Sequence, residues 1–146
     1  MIACCAGLPE QTVDAGVRII EEGRKPGILY VLVEGAVEVL RGDVVVHTTT
    51  QPGAFFGEMS MLLGTPYTAS VRTLERSRFY LVDDPPALLR SHPELGLSLA
   101  RLLAHRLRLV TGYLVDLQHQ FADRDDHFGL VEQVLATLVH HQPDDD

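Results

Sequence analysis

The sequence has only two cysteines, few basic residues and no long run of apolar residues. Cys4 and Cys5 are adjacent, so they provide neither a disulfide framework nor enough thiolates for an iron–sulfur cluster. The first residues lack the basic segment and apolar stretch of a secretion signal, and no later segment is long enough to span a bilayer. We therefore expect a protein of the reducing cytoplasm that makes no membrane contact.

Positive charge is scarce and scattered along the chain. There are 12 Lys and Arg residues against 20 Asp and Glu residues, which gives a formal net charge of -8. Such a surface repels a phosphodiester backbone unless its basic residues cluster, and here they do not cluster strongly. We therefore predict no direct DNA binding.

The residues needed for catalysis on a β barrel are also scarce. Of 7 histidines, only His47 falls in the strand-rich part, whereas a cupin-type metal enzyme needs several inward histidines and a carboxylate. A Gly-x-Ser-x-Gly nucleophile motif is absent. We therefore predict that the protein is not an enzyme and that it holds no metal and no cofactor.

Residues 12–82 are rich in Val, Ile, Thr and Tyr and are punctuated by glycines, which predicts a compact, jelly-roll-like β roll. A tight turn is expected around Gly42, between two strand-like segments. In the first of these segments, Val37 and Val39 alternate with Glu38. This alternation predicts one buried face and one face in water, with Glu38 on the wet face.

Two helices are predicted after the roll. Asp84 before Pro85 is a typical helix start. Ser91 and Glu94, three residues apart, fit a capping box for a second, longer helix.

The predicted long helix, Leu95 to Phe121, carries two adjacent apolar stripes with the spacing of a coiled-coil seam. One stripe contains Leu103, Leu107, Val110, Leu114, Leu117 and Phe121, and the other contains Leu95, Leu99, Leu102, Leu109 and Tyr113. Two stripes need two partners. We predict that one packs on the roll and the other on the same helix of a second subunit, giving a homodimer. The alternative is one wide core face in a monomer.

A polar break at residues 122–126 precedes a last, short helix. Its apolar face contains Phe128, Val131, Leu135 and Leu138. We therefore divide the chain into a β roll plus long helix, residues 1–126, and a short terminal helix with an acidic tail, residues 127–146, which is not a separate domain.

The segment "FFGEMSMLLGTPYTASV" combines a glycine, a carboxylate and a short helical turn. Main-chain N–H groups at the start of a helical turn, approached through Gly57, can bind an anion. Glu58 beside them can accept hydrogen bonds from sugar hydroxyls. The alternative is an ordinary turn with a solvated acid.

Together with "GILYVLVEGAVEV" and the long helix, this segment resembles the cyclic-nucleotide-binding domain family. The resemblance covers residues 16–126. The matching positions are Gly23, Tyr30, Gly35, Val37, Gly53, Phe55, Gly57, Glu58, Leu62, Leu63, Ala69 and Val71. The helices resemble the effector half of bacterial catabolite-activator-type regulators, whose DNA-binding helix-turn-helix would begin where this chain stops. We therefore expect an unknown protein partner to receive the output.

The resemblance implies a regulatory domain for a small-molecule effector, with cAMP or cGMP as its possible ligand. Glu58 would bind the ribose hydroxyl, and the amides around it would bind the cyclic phosphate. Thr68 and Ala69 would close the phosphate side, and Thr111 on the long helix would contact the adenine. The full implied ligand-binding set is Gly57, Glu58, Met59, Ser60, Tyr67, Thr68, Ala69 and Thr111.

Tyr67 stands where the family has an arginine that pairs with the phosphate. A phenol replaces a charged fork of donors, so cyclic-nucleotide binding should be weaker. Three interpretations remain open: a cyclic-nucleotide sensor with a weakened grip, a sensor of another small molecule, and a dimerisation or protein-interaction module. We favour a regulatory domain of the cyclic-nucleotide-binding type.

Four other arginines lie near this motif. We expect Arg72, Arg76 and Arg78, downstream of Tyr67, to be solvated at the surface. Arg24 follows Gly23, where the family often has an acid, and we interpret it as a turn residue of little consequence.

Overall fold

The structure of the protein, a computed structural model, describes residues 5–25, 27–121 and 125–140. Within these residues the chain forms β1 to β6, α1, β7, β8 and then α2 to α4. The strands are β1 Glu10–Val13, β2 Arg18–Ile20, β3 Leu29–Glu34, β4 Val37–Arg41, β5 Val44–Thr49, β6 Phe55–Phe56, β7 Ser70–Thr73 and β8 Ser77–Val82. The helices are α1 Glu58–Leu63, α2 Pro85–Ser91, α3 Pro93–Gln120 and α4 Asp125–His140.

The strands form two four-stranded antiparallel sheets. Their orders are β1-β8-β3-β6 and β2-β7-β4-β5. A buried cluster contains residues from both sheets, namely Val13, Ile20, Leu32, Val37, Phe56, Val71 and Phe79. The predicted β roll, followed by a long helix and a shorter one, is thereby confirmed.

Residues 1–95 and residues 96–146 form two compact units. The division predicted after residue 126 stays a prediction. The polar break on which it rests lies mostly in residues 122–124, outside the described residues.

The β4–β5 hairpin confirms one local prediction and corrects another. Arg41 pairs with Val44 around Gly42, whose φ of 59° permits the two-residue turn. Glu38, however, is buried, so its predicted exposure to water is wrong. The physical reason is Arg72 on the neighbouring β7, whose Nε donates to the Glu38 carboxylate at 2.7 Å. A buried carboxylate is stable when it has such a charged partner.

The β3–β4 turn packs directly against the start of β8. Gly35 has a φ of 120°, and a Cβ atom there would lie 2.1 Å from Ser77 Oγ and 2.6 Å from Ser77 Cα. Ser77 Oγ also accepts a hydrogen bond from the Ala36 N–H at 3.2 Å. The turn therefore needs a residue without a side chain at position 35.

Of the two helix starts predicted after the roll, one is right and one is wrong. Asp84 caps α2 as expected, since its Oδ1 accepts from the Ala87 N–H at 3.2 Å. Ser91 does not open the long helix, so that prediction is wrong. Ser91 is the last residue of α2, its hydroxyl donates to the Ala87 carbonyl at 2.8 Å, and α3 begins at Pro93.

The long helix α3 exposes much of its apolar surface. Leu95 and Leu99 near its start are buried. Further along, the exposed apolar side chains are Leu107, Leu109, Val110, Tyr113 and Val115. Among the described residues, no helix combines the length and hydropathy needed to cross a membrane.

We predict that Gly35→Ala destabilises the roll by roughly 3 kcal/mol or more, because the new methyl group overlaps Ser77, including its backbone. Chemical denaturation measures the change in the free energy of unfolding.

Gly42→Ala is the matched control for Gly35→Ala. Gly42 has a φ of 59°, and a Cβ atom at this position would meet no other atom within 4 Å. This variant should therefore lose only about 1–2 kcal/mol from backbone strain. Equal losses in the two variants would contradict the packing argument.

Candidate functional site

The short helix α1 is bounded by two glycines in left-handed conformations. Gly57 precedes it with a φ of 96°, and Gly64 follows it with a φ of 66°. The Gly64 N–H donates to the Ser60 carbonyl at 2.9 Å and closes the last turn. This glycine-bounded helical turn confirms the local structure predicted for the motif.

Gly57 is also in close contact with two other segments. A Cβ atom at this position would lie 3.1 Å from Tyr67 Cε1 and 3.2 Å from the Ile28 carbonyl oxygen. Both its φ and its surroundings therefore favour glycine. The motif glycine, Tyr67 and the loop between β2 and β3 meet at one point.

The Tyr67 hydroxyl is held by the main chain of that loop. It donates to the Ile28 carbonyl at 2.9 Å and accepts from the N–H groups of Gly27 at 3.2 Å and Ile28 at 3.1 Å. A phenol has one donor and two acceptor lone pairs. These three hydrogen bonds use all of them.

The Tyr67 main chain binds the same loop. The Gly23 N–H donates to the Tyr67 carbonyl at 2.8 Å, and the Tyr67 N–H donates to the Arg24 carbonyl at 2.9 Å. Five hydrogen bonds therefore join this one residue to residues 23–28.

The other residues predicted for the cassette differ in their exposure. Glu58 and Ser60 are buried, and the Ser60 hydroxyl donates to the Pro66 carbonyl at 3.1 Å. Met59 is 46% exposed and Thr68 is also exposed, while Ala69 is half-buried. The contacts thus bring Gly57 to Tyr67 and close the α1 loop through Ser60, whereas the ligand-binding roles of all these residues stay predictions.

Thr111 lies in the second compact unit, on α3. With Leu107, Gly112, Val115 and other residues, it lines a groove of about 540 Å³ that also includes Leu138 of α4. Its predicted contact with an adenine base stays a prediction.

A cavity of about 190 Å³ lies beside the motif. Its lining includes Gly57, Ser60 and Met61 of the motif and the two prolines that begin α2. Gly27, Ile28 and Tyr67 form another part of its wall. The cavity therefore combines an apolar lining with main-chain groups from the segment that holds Tyr67.

Two of the three downstream arginines pair with acids. Arg72 binds Glu38, as described above, and Arg78 lies 3.3 Å from Glu10 and 3.4 Å from Glu34. Both side chains are part-buried, so the expectation of simple solvation is wrong for them. Arg76 is exposed, as expected.

Sequence reasoning missed the loop that receives Tyr67. Gly27 and Ile28 contribute main-chain groups, which carry no side-chain signature in the sequence. The nearest available signal was the glycine at position 27 before a predicted strand. Among the described residues, no group of three or more His, Cys, Asp or Glu side chains is placed to hold a metal ion.

The two sheets form a β roll that contains the glycine-bounded turn and is followed in the chain by a long helix. Structures of bacterial transcription regulators show the same fold. The chain is similar to the crystal structure of Thermus thermophilus catabolite activator protein, with a TM-score of 0.72, 27% identity and coverage of 80% of this chain and 58% of that one. It is also similar to the N-terminal domain of a Streptomyces coelicolor transcriptional regulator, with a TM-score of 0.58, 27% identity and coverage of 75% and 82%.

Sequence comparison gives the same relationship. The chain is 31% identical over 108 residues to a CRP-like cAMP-activated global transcriptional regulator of Mycobacterium tuberculosis, covering 70% of this chain and 48% of the regulator. The family model of the cyclic nucleotide-binding domain matches residues 10–85. The chain therefore belongs to the cyclic nucleotide-binding domain family, and it spans about half the length of the mycobacterial relative.

We predict that Tyr67→Phe destabilises the roll by about 1–3 kcal/mol, because it removes the partner of three main-chain groups. Hydrogen exchange at the Gly27 and Ile28 amides should become faster, as measured by NMR.

Tyr113→Phe is the control for this loss. Tyr113 is 64% exposed on α3, so the same change should alter the free energy of unfolding by less than about 0.5 kcal/mol. Unchanged exchange at residues 27 and 28 in Tyr67→Phe would contradict the structural role of the hydroxyl.

Proposed function

We propose that this chain is a regulatory domain that binds a cyclic nucleotide, cAMP or cGMP, at the Gly57–Ser60 motif. The observation that carries the proposal is the motif itself: a left-handed glycine leads into a short helical turn whose first residue is a buried carboxylate, beside a cavity. Membership of the family and similarity to a cAMP-activated regulator support it.

The proposed roles follow the chemistry of the residues. The amides at the start of α1 would bind the cyclic phosphate, because the first turn of a helix carries the positive end of the helix dipole and its N–H groups point toward the helix start. Glu58 would accept hydrogen bonds from the ribose hydroxyl. Thr68 and Ala69 would close the phosphate side, and Thr111 would contact the base.

Tyr67 limits the affinity that we propose. Its hydroxyl makes all the hydrogen bonds it can make with residues 27 and 28, so it offers nothing to a phosphate unless one of these bonds breaks. Loss of a charged hydrogen bond of about 1.5–3 kcal/mol corresponds to a roughly ten- to hundredfold weaker complex. We therefore propose weak binding of cyclic nucleotide by the natural sequence.

The same observation favours a second candidate function. A pocket whose phosphate-facing residue is bound to the protein itself would suit a less anionic small molecule. Alternatively, the roll would serve dimerisation and partner binding without a ligand. This alternative needs no cyclic phosphate, so nucleotide titrations separate it from the first.

We also propose that α3 forms the interface of a homodimer. Leu107 and Val110, which lie three residues apart in one of the two predicted stripes, are 44% and 52% exposed. Burying such apolar surface against a second copy is favourable, and their spacing fits a helix–helix seam. Ligand would then act by binding one of two states of the dimer, or of a complex with a partner protein, more tightly than the other.

Isothermal titration of nucleotide-free protein with cAMP and cGMP tests the binding proposal. We expect weak binding by the wild type, tighter binding by a roughly ten- to hundredfold factor in Tyr67→Arg, and further weakening in Glu58→Gln. Tyr67→Phe is the control, because it removes the hydroxyl without adding charge.

Absence of binding in both the wild type and a folded Tyr67→Arg would contradict cyclic-nucleotide recognition and favour the second candidate. Hydrogen exchange of α3 in the same samples tests transmission. If nucleotide binds and leaves this exchange unchanged, α3 does not carry the signal.

Size-exclusion chromatography with light scattering tests the dimer. We expect the wild type at twice the 16.1 kDa of one chain, and a shift to monomer in Val110→Glu, which places a charge in the proposed seam. Ser98→Glu, an exposed position of α3 outside both stripes, should remain dimeric. A monomeric wild type at high concentration would refute the dimer.

A further inference from the structure

A second cavity, of about 240 Å³, also adjoins Tyr67. Gly27, Ile28 and Tyr67 line both this cavity and the one beside α1. Tyr67 and the segment bonded to its hydroxyl are therefore shared by the walls of the two cavities. The other residues that line the second cavity include charged side chains, whereas those that line the cavity beside α1 do not.

Positive side chains dominate that lining. Arg18, Arg24 and Lys25 face the cavity with one acid, Glu21, which gives the lining a net formal charge of +2 in a protein whose total is -8. Arg24 and Glu21 lie 2.9 Å apart, but their side chains are 74% and 45% exposed, so water weakens this pair strongly. An anion can therefore still compete for Arg24.

The fold anchors the main chain that carries these cations. The pairing of β2 with β7 shifts register between Arg18 and Ile20, an irregularity of the kind that re-aims side chains. Arg24 and Lys25 lie in the loop that is bonded to Tyr67 through Gly23 and Arg24. The cluster thus rests on an anchored loop and not on a free one.

Two phenols complete the cavity. Tyr30 packs edge-on against Phe79, with ring centroids 5.9 Å apart. Burial, and then the nearby Tyr67, raise the pKa of Tyr30 above its usual value. Its hydroxyl is therefore a protonated donor at neutral pH. The guanidinium and ammonium groups, together with the Tyr30 phenol, suit the oxygens of phosphate.

We propose that this cleft, lined by Arg18, Arg24, Lys25 and Tyr30, binds a small oxyanion of the phosphate or diphosphate class. Its volume is below the roughly 300–1,000 Å³ typical of pockets for larger ligands, so the recognised group is the anion and not a whole nucleotide. The proposal does not rest on cyclic-nucleotide binding, because none of residues 57–60 lines this cleft. The proposal also gives a binding role to Arg24, which the sequence analysis interprets as a turn residue of little consequence.

Titration of the ¹⁵N-labelled full chain with inorganic pyrophosphate, at constant ionic strength, tests the proposal by NMR. We expect saturable shifts of the amides of residues 24, 25, 27 and 28. The double variant Arg18→Gln/Lys25→Gln should bind pyrophosphate at least about tenfold more weakly, because two positive partners are lost. Both side chains are exposed, so we expect the variant to fold.

Arg76→Gln is the control, since it removes a positive charge from an exposed position of the same roll that does not line the cleft. It should bind pyrophosphate as the wild type does, and so should Glu58→Gln. Four results would overturn the proposal: no saturable shifts, unchanged binding in the double variant, equal weakening in Arg76→Gln, or loss of binding in Glu58→Gln with shifts at residues 57–60. A failure of cyclic-nucleotide binding alone leaves these expectations intact.

Discussion

The hydrogen bonds between Tyr67 and the β2–β3 loop hold the candidate site together. They join residues about 40 positions apart, through the side chain to Gly27 and Ile28 and through the main chain to residues 23 and 24. The aromatic ring lies against Gly57, where a Cβ atom would be only 3.1 Å from Tyr67 Cε1. The start of α1, the loop after it and the loop between β2 and β3 are therefore in mutual contact through Tyr67.

The positive charge near the candidate site lies beside Tyr67 and not on it. Tyr67 is neutral at physiological pH in its ordinary form, and its hydroxyl is bonded to the main chain of residues 27 and 28. Positive charge is found instead on the side of Tyr67 where Arg18 and Lys25 lie. Downstream, Arg72 and Arg78 are paired with acids on the sheets, so they support the roll. The binding sites that we propose would use main-chain amides and the buried Glu58 at the start of α1, and the cations of the adjoining cleft.

Several features of the fold could be predicted because they depend on neighbours in the sequence. The turn at Gly42 and the cap at Asp84 are set by local backbone geometry and short hydrogen bonds. The β roll and the glycine-bounded turn were predicted for the same reason. Ser91 shows the limit of such reasoning: its spacing to Glu94 fits a capping motif, but the preceding helix extends through it and Pro93 begins the next one.

The family and the β roll followed by helices can both be recognised in the amino-acid sequence. Only the tertiary structure shows that buried Glu38 pairs with Arg72 and that the Tyr67 hydroxyl is bound by Gly27 and Ile28. It also shows that Arg18 and Lys25 line one cavity. The physical reason is that these contacts depend on segments far apart in the chain. Partners of this kind are main-chain groups or ordinary charged residues, whose local sequence does not reveal what they will meet after folding.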